Sequence, residues 1–178
     1  MRILAITATL LFLAAGGQVA ASPENESMMP DIPDKTQPDE KTLIGGQPDQ
    51  RDLYQAKEAG IRTVVNLRGV GEFDDWAQSE VVTDLGMLYI HIPVDGANGL
   101  TRPAVEAFDR AVKATNDEPA LFHCASGNRV GAMFALRAGI LQDQPVEVAL
   151  DIGRKHGMTG LEDEVRQLLE SGELPGAG

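Results

Sequence analysis

The chain is organised around ten residues, Phe122-His123-Cys124-Ala125-Ser126-Gly127-Asn128-Arg129-Val130-Gly131. An apolar run from Pro119 to Phe122 precedes this stretch and an amphipathic run from Val130 to Leu141 follows it, so the pattern predicts a strand, a tight loop and the start of a helix. Backbone N–H groups and the positive end of the helix dipole would then surround one small concavity. Such a concavity favours an anion.

The residue types of this loop fit a thiolate that works on a bound oxyanion. Gly127 can adopt a positive φ without steric cost, and Asn128 tolerates it better than most residues. Arg129 offers a planar, permanently charged guanidinium for a tetrahedral anion. Together with the helix dipole, this charge would keep Cys124, at the lip of the loop, as a nucleophilic thiolate. His123 is expected to orient the loop through a hydrogen bond. The residues predicted to bind the anion are Ala125, Ser126, Gly127, Asn128 and Arg129.

The same residues also have a simpler interpretation. A single cysteine at the end of a strand is more often a packed apolar residue, and Gly-Asn is a common turn pair. A cysteine, a loop glycine and an arginine that opens a helix, all within six residues, are harder to explain by packing. The combination favours an anion-binding thiolate site.

Strands alternate with helices along the chain, which predicts an α/β fold of three layers with a mostly parallel central sheet flanked by helices. Strand patterns cover residues 42–44, 62–67, 87–94 and 120–123, and helical patterns cover 49–59, 72–85, 130–141, 146–155 and 161–169, with a further helix capped by Thr101. Ligands in such sheets bind beyond the carboxyl ends of the strands. If the strands are neighbours, the three loops after them should face one pocket. These loops carry Arg68 and Glu72, then Asp95, then Cys124 to Arg129, and Arg68 would have a supporting role.

Asp95 is the candidate general acid because it follows a predicted central strand, 29 residues before Cys124. A carboxylic acid over the loop could protonate a leaving alkoxide or phenoxide. Asp-Gly is also a common turn pair, and Glu72, Asp74 and Asp75 are the alternative acids. The three histidines have no metal-ligand spacing, so we expect neither a metal nor a cofactor.

The first 40 residues differ in composition from the rest. Residues 1–21 have a positive start, a short apolar run and small residues before Ser22, which predicts a secretory signal peptide. Residues 22–40 hold six acidic residues, one lysine and four prolines, which predicts a disordered acidic linker. The domain would then span residues 41–178. We therefore expect an exported, soluble protein in the periplasm or outside the cell.

The charge of the chain excludes some partners. The formal net charge is −12, and residues 41–178 carry 13 basic and 21 acidic side chains. Such a surface argues against nucleic acid and against stable association with anionic membranes. Cys124 is the single cysteine, so it has no partner for an internal disulfide, and its presence in an exported protein favours a chemical role. The expected partner is a phosphorylated protein or a small phosphate ester.

Four segments of the sequence carry a resemblance to a known family: residues 46–48, 60–68, 89–94 and 123–131. They resemble the beta-lactamase-hydrolase-like, phosphatase-like family of bacteria, which is related to dual-specificity cysteine phosphatases. The resemblance covers about residues 43 to 160 with the motifs in order. It implies a tyrosine-phosphatase-like fold, Cys124 as nucleophile, Arg129 as phosphate clamp and Asp95 as acid. The expected activity is hydrolysis of phosphate monoesters through a cysteinyl-phosphate intermediate.

Two departures from the phosphatase signature leave alternatives open. Four residues, not five, separate Cys124 from Arg129, and Val130 stands where the signature has Ser or Thr. The shorter loop is similar to that of rhodanese-type sulfurtransferases, which carry a persulfide on the cysteine. The alternative functions are therefore a sulfurtransferase and a module that binds phosphate or sulfate groups without turnover.

Overall fold

The computed structural model of the protein describes residues 30–72 and 77–176. The predicted signal peptide, and the alternative acids Asp74 and Asp75, lie outside these residues. Within the described part, no helix is long and apolar enough to span a bilayer.

One sheet of five strands forms the centre of the described structure. In chain order the strands are β1 (Thr36–Asp39), β2 (Thr42–Gly45), β3 (Thr63–Asn66), β4 (Leu88–His91) and β5 (Ala120–His123). Their spatial order is β1-β2-β5-β3-β4. Only the β1–β2 pair is antiparallel, whereas β5 runs parallel to both β2 and β3, and β3 runs parallel to β4. The predicted mostly parallel sheet is confirmed.

Six α-helices flank the sheet in the described residues. They are α1 (Gln50–Glu58), α2 (Gln78–Asp84), α3 (Arg102–Ala114), α4 (Asn128–Leu136), α5 (Val146–Lys155) and α6 (Glu162–Ser171). A 3₁₀ turn spans Gly96–Gly99, and a π-turn at Arg137–Leu141 extends α4. The side chain of Thr101 accepts a hydrogen bond from the N–H of Ala104 and caps α3 as predicted.

Neighbouring residues of each central strand face opposite sides of the sheet, and both sides are covered. Leu43, Val64 and Leu121 belong to one apolar cluster, which includes residues of α1 and α2. The residues that follow them, Ile44, Val65 and Phe122, belong to a larger cluster with residues of α3 to α6. Strands buried on both faces have continuous apolar runs. The three-layer α/β architecture is therefore confirmed.

Two predicted boundaries are wrong. The predicted linker extended to Glu40, but β1 lies within it and pairs with β2, and Ile32 is buried in the cluster under α1 and α2. Pairing with an edge strand and burial of one apolar side chain order this acidic segment. The predicted helix at 72–85 begins at Gln78, and the carboxylate of Glu72 instead accepts a hydrogen bond from Gly69 N–H in the loop after β3.

Candidate active site

The loops that follow β3, β4 and β5 meet at the guanidinium of Arg129. Its Nη1 donates to the carbonyl oxygen of Val94, after β4, at 2.7 Å and lies 3.5 Å from that of Leu67, after β3. Both Nη atoms also donate to the carboxylate of Glu72. The prediction that the three loops face one site is confirmed, because β5, β3 and β4 are adjacent and parallel.

Cys124 lies at the floor of the loop and not at its lip. Only 1% of its surface is accessible, because its N–H donates to Gly45 O and so continues the pairing of β5 with β2. Cys124 nevertheless lies next to Arg129, since its interaction with the guanidinium is among the causes that raise the pKa of Arg129, after the larger effect of the hydrogen bonds to Glu72. Both residues are buried, with 9% of the surface of Arg129 accessible.

The turn from Cys124 into α4 has the geometry of an anion-binding loop. Gly127 has a left-handed φ of 79° and precedes the first helical residue, and no side chain caps this end of α4. Uncapped amides at a helix N-terminus carry the positive end of the helix dipole. Ala125 and Ser126 are exposed at the rim, and Ser126 forms an isolated bridge with Gly46 of the chain after β2.

The side chain of Asn128 points away from this loop. Its Oδ1 accepts hydrogen bonds from the N–H groups of Thr159 (2.8 Å) and Leu161 (3.4 Å). Asn128 can therefore contribute to an anion site only through its backbone. Its side chain holds the turn between α5 and α6 against the loop.

Glu72 orients the guanidinium of Arg129. Each carboxylate oxygen accepts one N–H at 2.7 Å, and Gly69 N–H donates to the same carboxylate at 3.0 Å. The hydrogen bonds from Arg129 hold the pKa of Glu72 below its ordinary value despite partial burial. With Nη1 directed at Glu72 and Val94, the edge of the guanidinium formed by Nε and Nη2 is the one suited to an oxyanion.

His123 is fully buried between the sheet and α2. Its Nε2 lies 3.0 Å from the side-chain nitrogen of Gln78, and its Nδ1 lies 3.5 Å from the carbonyl oxygen of Cys124. Burial lowers the pKa of His123 to about 3, so the ring is neutral at ordinary pH. The expected hydrogen bond to the loop is present at the carbonyl oxygen of the cysteine itself.

Arg68 and Asp95 lie at the mouth of the site. Arg68 Nη1 donates to Gln47 Oε1 at 2.8 Å, and its Nε lies 3.8 Å from the carboxylate of Glu72. Asp95 is exposed at the start of the 3₁₀ turn, directly after the Val94 carbonyl that Arg129 contacts. Its carboxylate lies near Gly69, 3.8 Å from the position that a Cβ there would take.

Sequence reasoning missed two residues of the site and the role of a third. Glu72 was considered only as an acid, although it is the ion-pair partner of Arg129. Asn66 and Gln78 form a buried polar chain to His123 and were not identified. The polar Asn66 at the end of a β-branched strand was an available signal, since buried polar groups need partners. Gln78 has no such local signal.

Comparison with known proteins identifies the group to which this site belongs. The family described as "DSP-PTPase phosphatase fused to NAD+ kinase" matches residues 18–167. The chain belongs to this family. A curated relative, the beta-lactamase hydrolase-like protein of Xylella fastidiosa (strain Temecula1 / ATCC 700964), is 31% identical over 125 residues, which cover 66% of this chain and 28% of that protein. The chain thus matches under a third of that relative, and the resemblance seen in the sequence is confirmed.

Solved structures show which fold the chain shares. A DUF442 protein of Shewanella putrefaciens CN-32 is 24% identical with a TM-score of 0.63, and the match covers 84% of this chain and 97% of that chain. Kinase associated phosphatase, solved with its catalytic-site cysteine substituted by serine, is 17% identical with a TM-score of 0.60, over 73% and 84% of the two chains. The fold is therefore tyrosine-phosphatase-like.

Proposed function

We propose that this protein hydrolyses phosphate monoesters through a cysteinyl-phosphate intermediate on Cys124. The observation that carries the proposal is that Cys124, directly after β5, and the oriented guanidinium of Arg129 lie together at the uncapped N-terminus of α4. Amides and a guanidinium fixed around a bound phosphoryl group stabilise the charge of the transition state, and this term usually dominates catalysis.

Two steps complete the reaction. The Cys124 thiolate attacks phosphorus, the bond from phosphorus to the ester oxygen breaks, and that oxygen takes the proton of the Asp95 carboxylic acid as it leaves. Water then attacks the cysteinyl phosphate and gives one proton to the Asp95 carboxylate. The bond from sulfur to phosphorus breaks, inorganic phosphate is released and the thiolate is restored. Arg129 and the loop amides bind the phosphoryl oxygens in both steps.

Kinase associated phosphatase supports the assignment of the nucleophile. That protein shares the fold and has a catalytic-site cysteine, and Cys124 is the single cysteine of the present sequence. A phosphorylated protein or a small phosphate ester is the proposed substrate, because the net charge of −12 disfavours nucleic acid. The apolar start of the chain supports export, so we place the reaction in the periplasm or outside the cell.

The length of the loop favours sulfur transfer as a second candidate function. Four residues separate Cys124 from Arg129, as in rhodanese-type enzymes. The thiolate would take the outer sulfur of thiosulfate and release sulfite, and cyanide would then remove that sulfur as thiocyanate and restore the thiolate. This route needs no proton from Asp95.

One assay panel on the protein distinguishes these functions. We expect hydrolysis of an aryl phosphate by the wild type and its loss in Cys124→Ser, with a phosphorylated Cys124 detectable by mass spectrometry after acid quenching. Thiocyanate from thiosulfate and cyanide, with an added sulfur atom on Cys124 and no release of phosphate, would overturn the proposal in favour of sulfur transfer. Phosphate binding that survives Cys124→Ser, without any turnover by the wild type, would show a binding module.

A further inference from the structure

A continuous chain of buried hydrogen bonds joins the loop after β3 to the loop that carries Cys124. The backbone N–H of Arg68 donates to Asn66 Oδ1 at 2.8 Å. Asn66 Nδ2 lies 3.0 Å from Gln78 Oε1 and 2.9 Å from the Tyr89 hydroxyl. Gln78 Nε2 in turn lies 3.0 Å from His123 Nε2. Asn66, Gln78 and His123 are all buried, so each polar atom depends on these partners.

The hydrogen bonds run in one direction from donor to acceptor, and the backbone N–H of Arg68 fixes that direction. A backbone N–H can only donate, so the atom of Asn66 that faces Arg68 must be the oxygen, and Asn66 Nδ2 must donate to Gln78. Gln78 therefore presents its nitrogen to His123 and donates to Nε2. With Nε2 accepting, the proton of the neutral ring lies on Nδ1. That nitrogen faces the carbonyl oxygen of Cys124 at 3.5 Å.

We propose that Gln78 is a positioning residue, which keeps His123 neutral as the Nδ1–H tautomer and thereby fixes the carbonyl of Cys124 relative to the Arg68 loop. The kinetic part of this inference rests on the proposed phosphatase function. Gln78 touches neither substrate nor sulfur, and acts through His123 alone. The side-chain N–H of Gln78 determines that the proton of the His123 ring lies on Nδ1. The Nδ1–H group then holds the carbonyl group of Cys124, which belongs to the first peptide of the loop.

The groups around His123 favour the same neutral state. Burial is the largest cause of its low pKa, and the positive charges of Arg68 and Arg129 act in the same direction, whereas its contact with the Cys124 backbone opposes them. The two arginines lie on the loop after β3 and on α4, and Cys124 lies at the end of β5. Helix α2 contributes the neutral side chain of Gln78 to the surroundings of the ring. A carboxylate at position 78 would therefore change the local balance of charge.

Two substitutions at this position test the proposal in the full chain. In Gln78→Glu, the carboxylate can accept from His123 only if Nε2 carries a proton. We expect ¹⁵N chemical shifts of His123 to show that proton, and alkylation of Cys124 by iodoacetamide to reach its midpoint about one pH unit lower, because a nearby positive charge favours the thiolate. In Gln78→Met, the loss of the hydrogen bonds to His123 and from Asn66 should lower kcat for an aryl phosphate about tenfold and change KM much less.

Val82→Ala is the matched control, because Val82 is buried on the same helix α2 within the apolar cluster. Its apolar side chain forms none of the hydrogen bonds between Asn66, Gln78 and His123. It should lower the melting temperature but keep the ¹⁵N shifts and the alkylation profile of the wild type. Wild-type ¹⁵N shifts and alkylation in both Gln78 variants would overturn the proposal, as would equal changes in Val82→Ala. If the wild type hydrolyses no phosphate ester, the proposed function fails, but the ¹⁵N shifts and alkylation still decide the role of Gln78.

Discussion

Replacing Glu72 by glutamine tests whether the ion pair with Glu72 orients Arg129 for phosphate hydrolysis and stabilises the fold. The carboxylate accepts two N–H groups of Arg129 at 2.7 Å, and the side chains are 33% and 10% accessible. Breaking a fully buried pair costs about 3–5 kcal/mol and an exposed pair is worth at most about 1 kcal/mol, so this partly exposed pair should contribute about 2 kcal/mol. Glutamine keeps one acceptor but turns an N–H toward the cation. We therefore expect Glu72→Gln to lower the free energy of unfolding by about 1–2 kcal/mol.

The same substitution should lower kcat/KM for an aryl phosphate about tenfold. Arg129 retains its hydrogen bond to the Val94 carbonyl, so the cation stays in the site but loses one of its two hydrogen bonds to residue 72. Urea unfolding followed by circular dichroism gives the stability, and release of the phenol gives the rate. Glu162→Gln is the matched control, because Glu162 also accepts two hydrogen bonds from an arginine, Arg154, but on the surface of α5 and α6.

The pH dependence provides a second test of Glu72→Gln. The pKa of Glu72 is lower in the folded protein than its ordinary value of 4.5. The carboxylate therefore stabilises the fold above about pH 4.5, and this contribution is lost as the pH falls through the lower folded value. The stability difference between wild type and variant should disappear in acid. Equal stability and equal kcat/KM at pH 7, or effects as large in Glu162→Gln, would refute the role given to Glu72.

Two further substitutions test the acid and the packing beneath the loop. Asp95→Asn should slow hydrolysis of alkyl phosphates about a hundredfold, yet change nitrophenyl phosphate little, because only a poor leaving group needs the proton; equal losses on both esters would contradict the assignment. Gly131→Ala would place a Cβ 2.2 Å from the backbone nitrogen of Met158, so the free energy of unfolding should fall by about 3 kcal/mol or more in urea. Gly160→Ala, whose Cβ would meet only Asn128 at 3.7 Å, is the control and should unfold near the wild-type urea concentration.

Local sequence patterns predicted the frame of this fold because each depends on near neighbours in the chain. Runs such as Ala120–His123 are apolar on successive residues because both faces of the sheet are covered. Gly127 was expected to take a positive φ, and it does. The strand–loop–helix at Cys124 and the three loops that meet at one edge follow from such patterns and from the rule for parallel sheets.

Contacts between distant segments were not predictable in the same way. Glu72 and Arg129 are 57 positions apart, and nothing in either segment specifies the other. The side chain of Asn128 turned out to bind a turn 31 positions later. The depth of Cys124 was also misjudged, because its hydrogen bond to Gly45 depends on the parallel register of β2 and β5. Burial and pairing of polar groups are properties of the assembled tertiary structure.

The position of Asp95 favours phosphate hydrolysis over sulfur transfer. Arg129 and the loop amides cannot separate the two reactions, because phosphate esters and thiosulfate both present tetrahedral oxyanions. They differ in the leaving group, since sulfite departs as a stable anion whereas an alkoxide needs a proton. A carboxylate at the mouth of an oxyanion site repels the ligand unless it carries that proton. Asp95 lies at this mouth, beside Gly69 and next to the Val94 carbonyl that binds Arg129. In a sulfurtransferase this carboxylate would only repel the anionic ligand, whereas in the proposed phosphatase it would supply the proton that the leaving group needs.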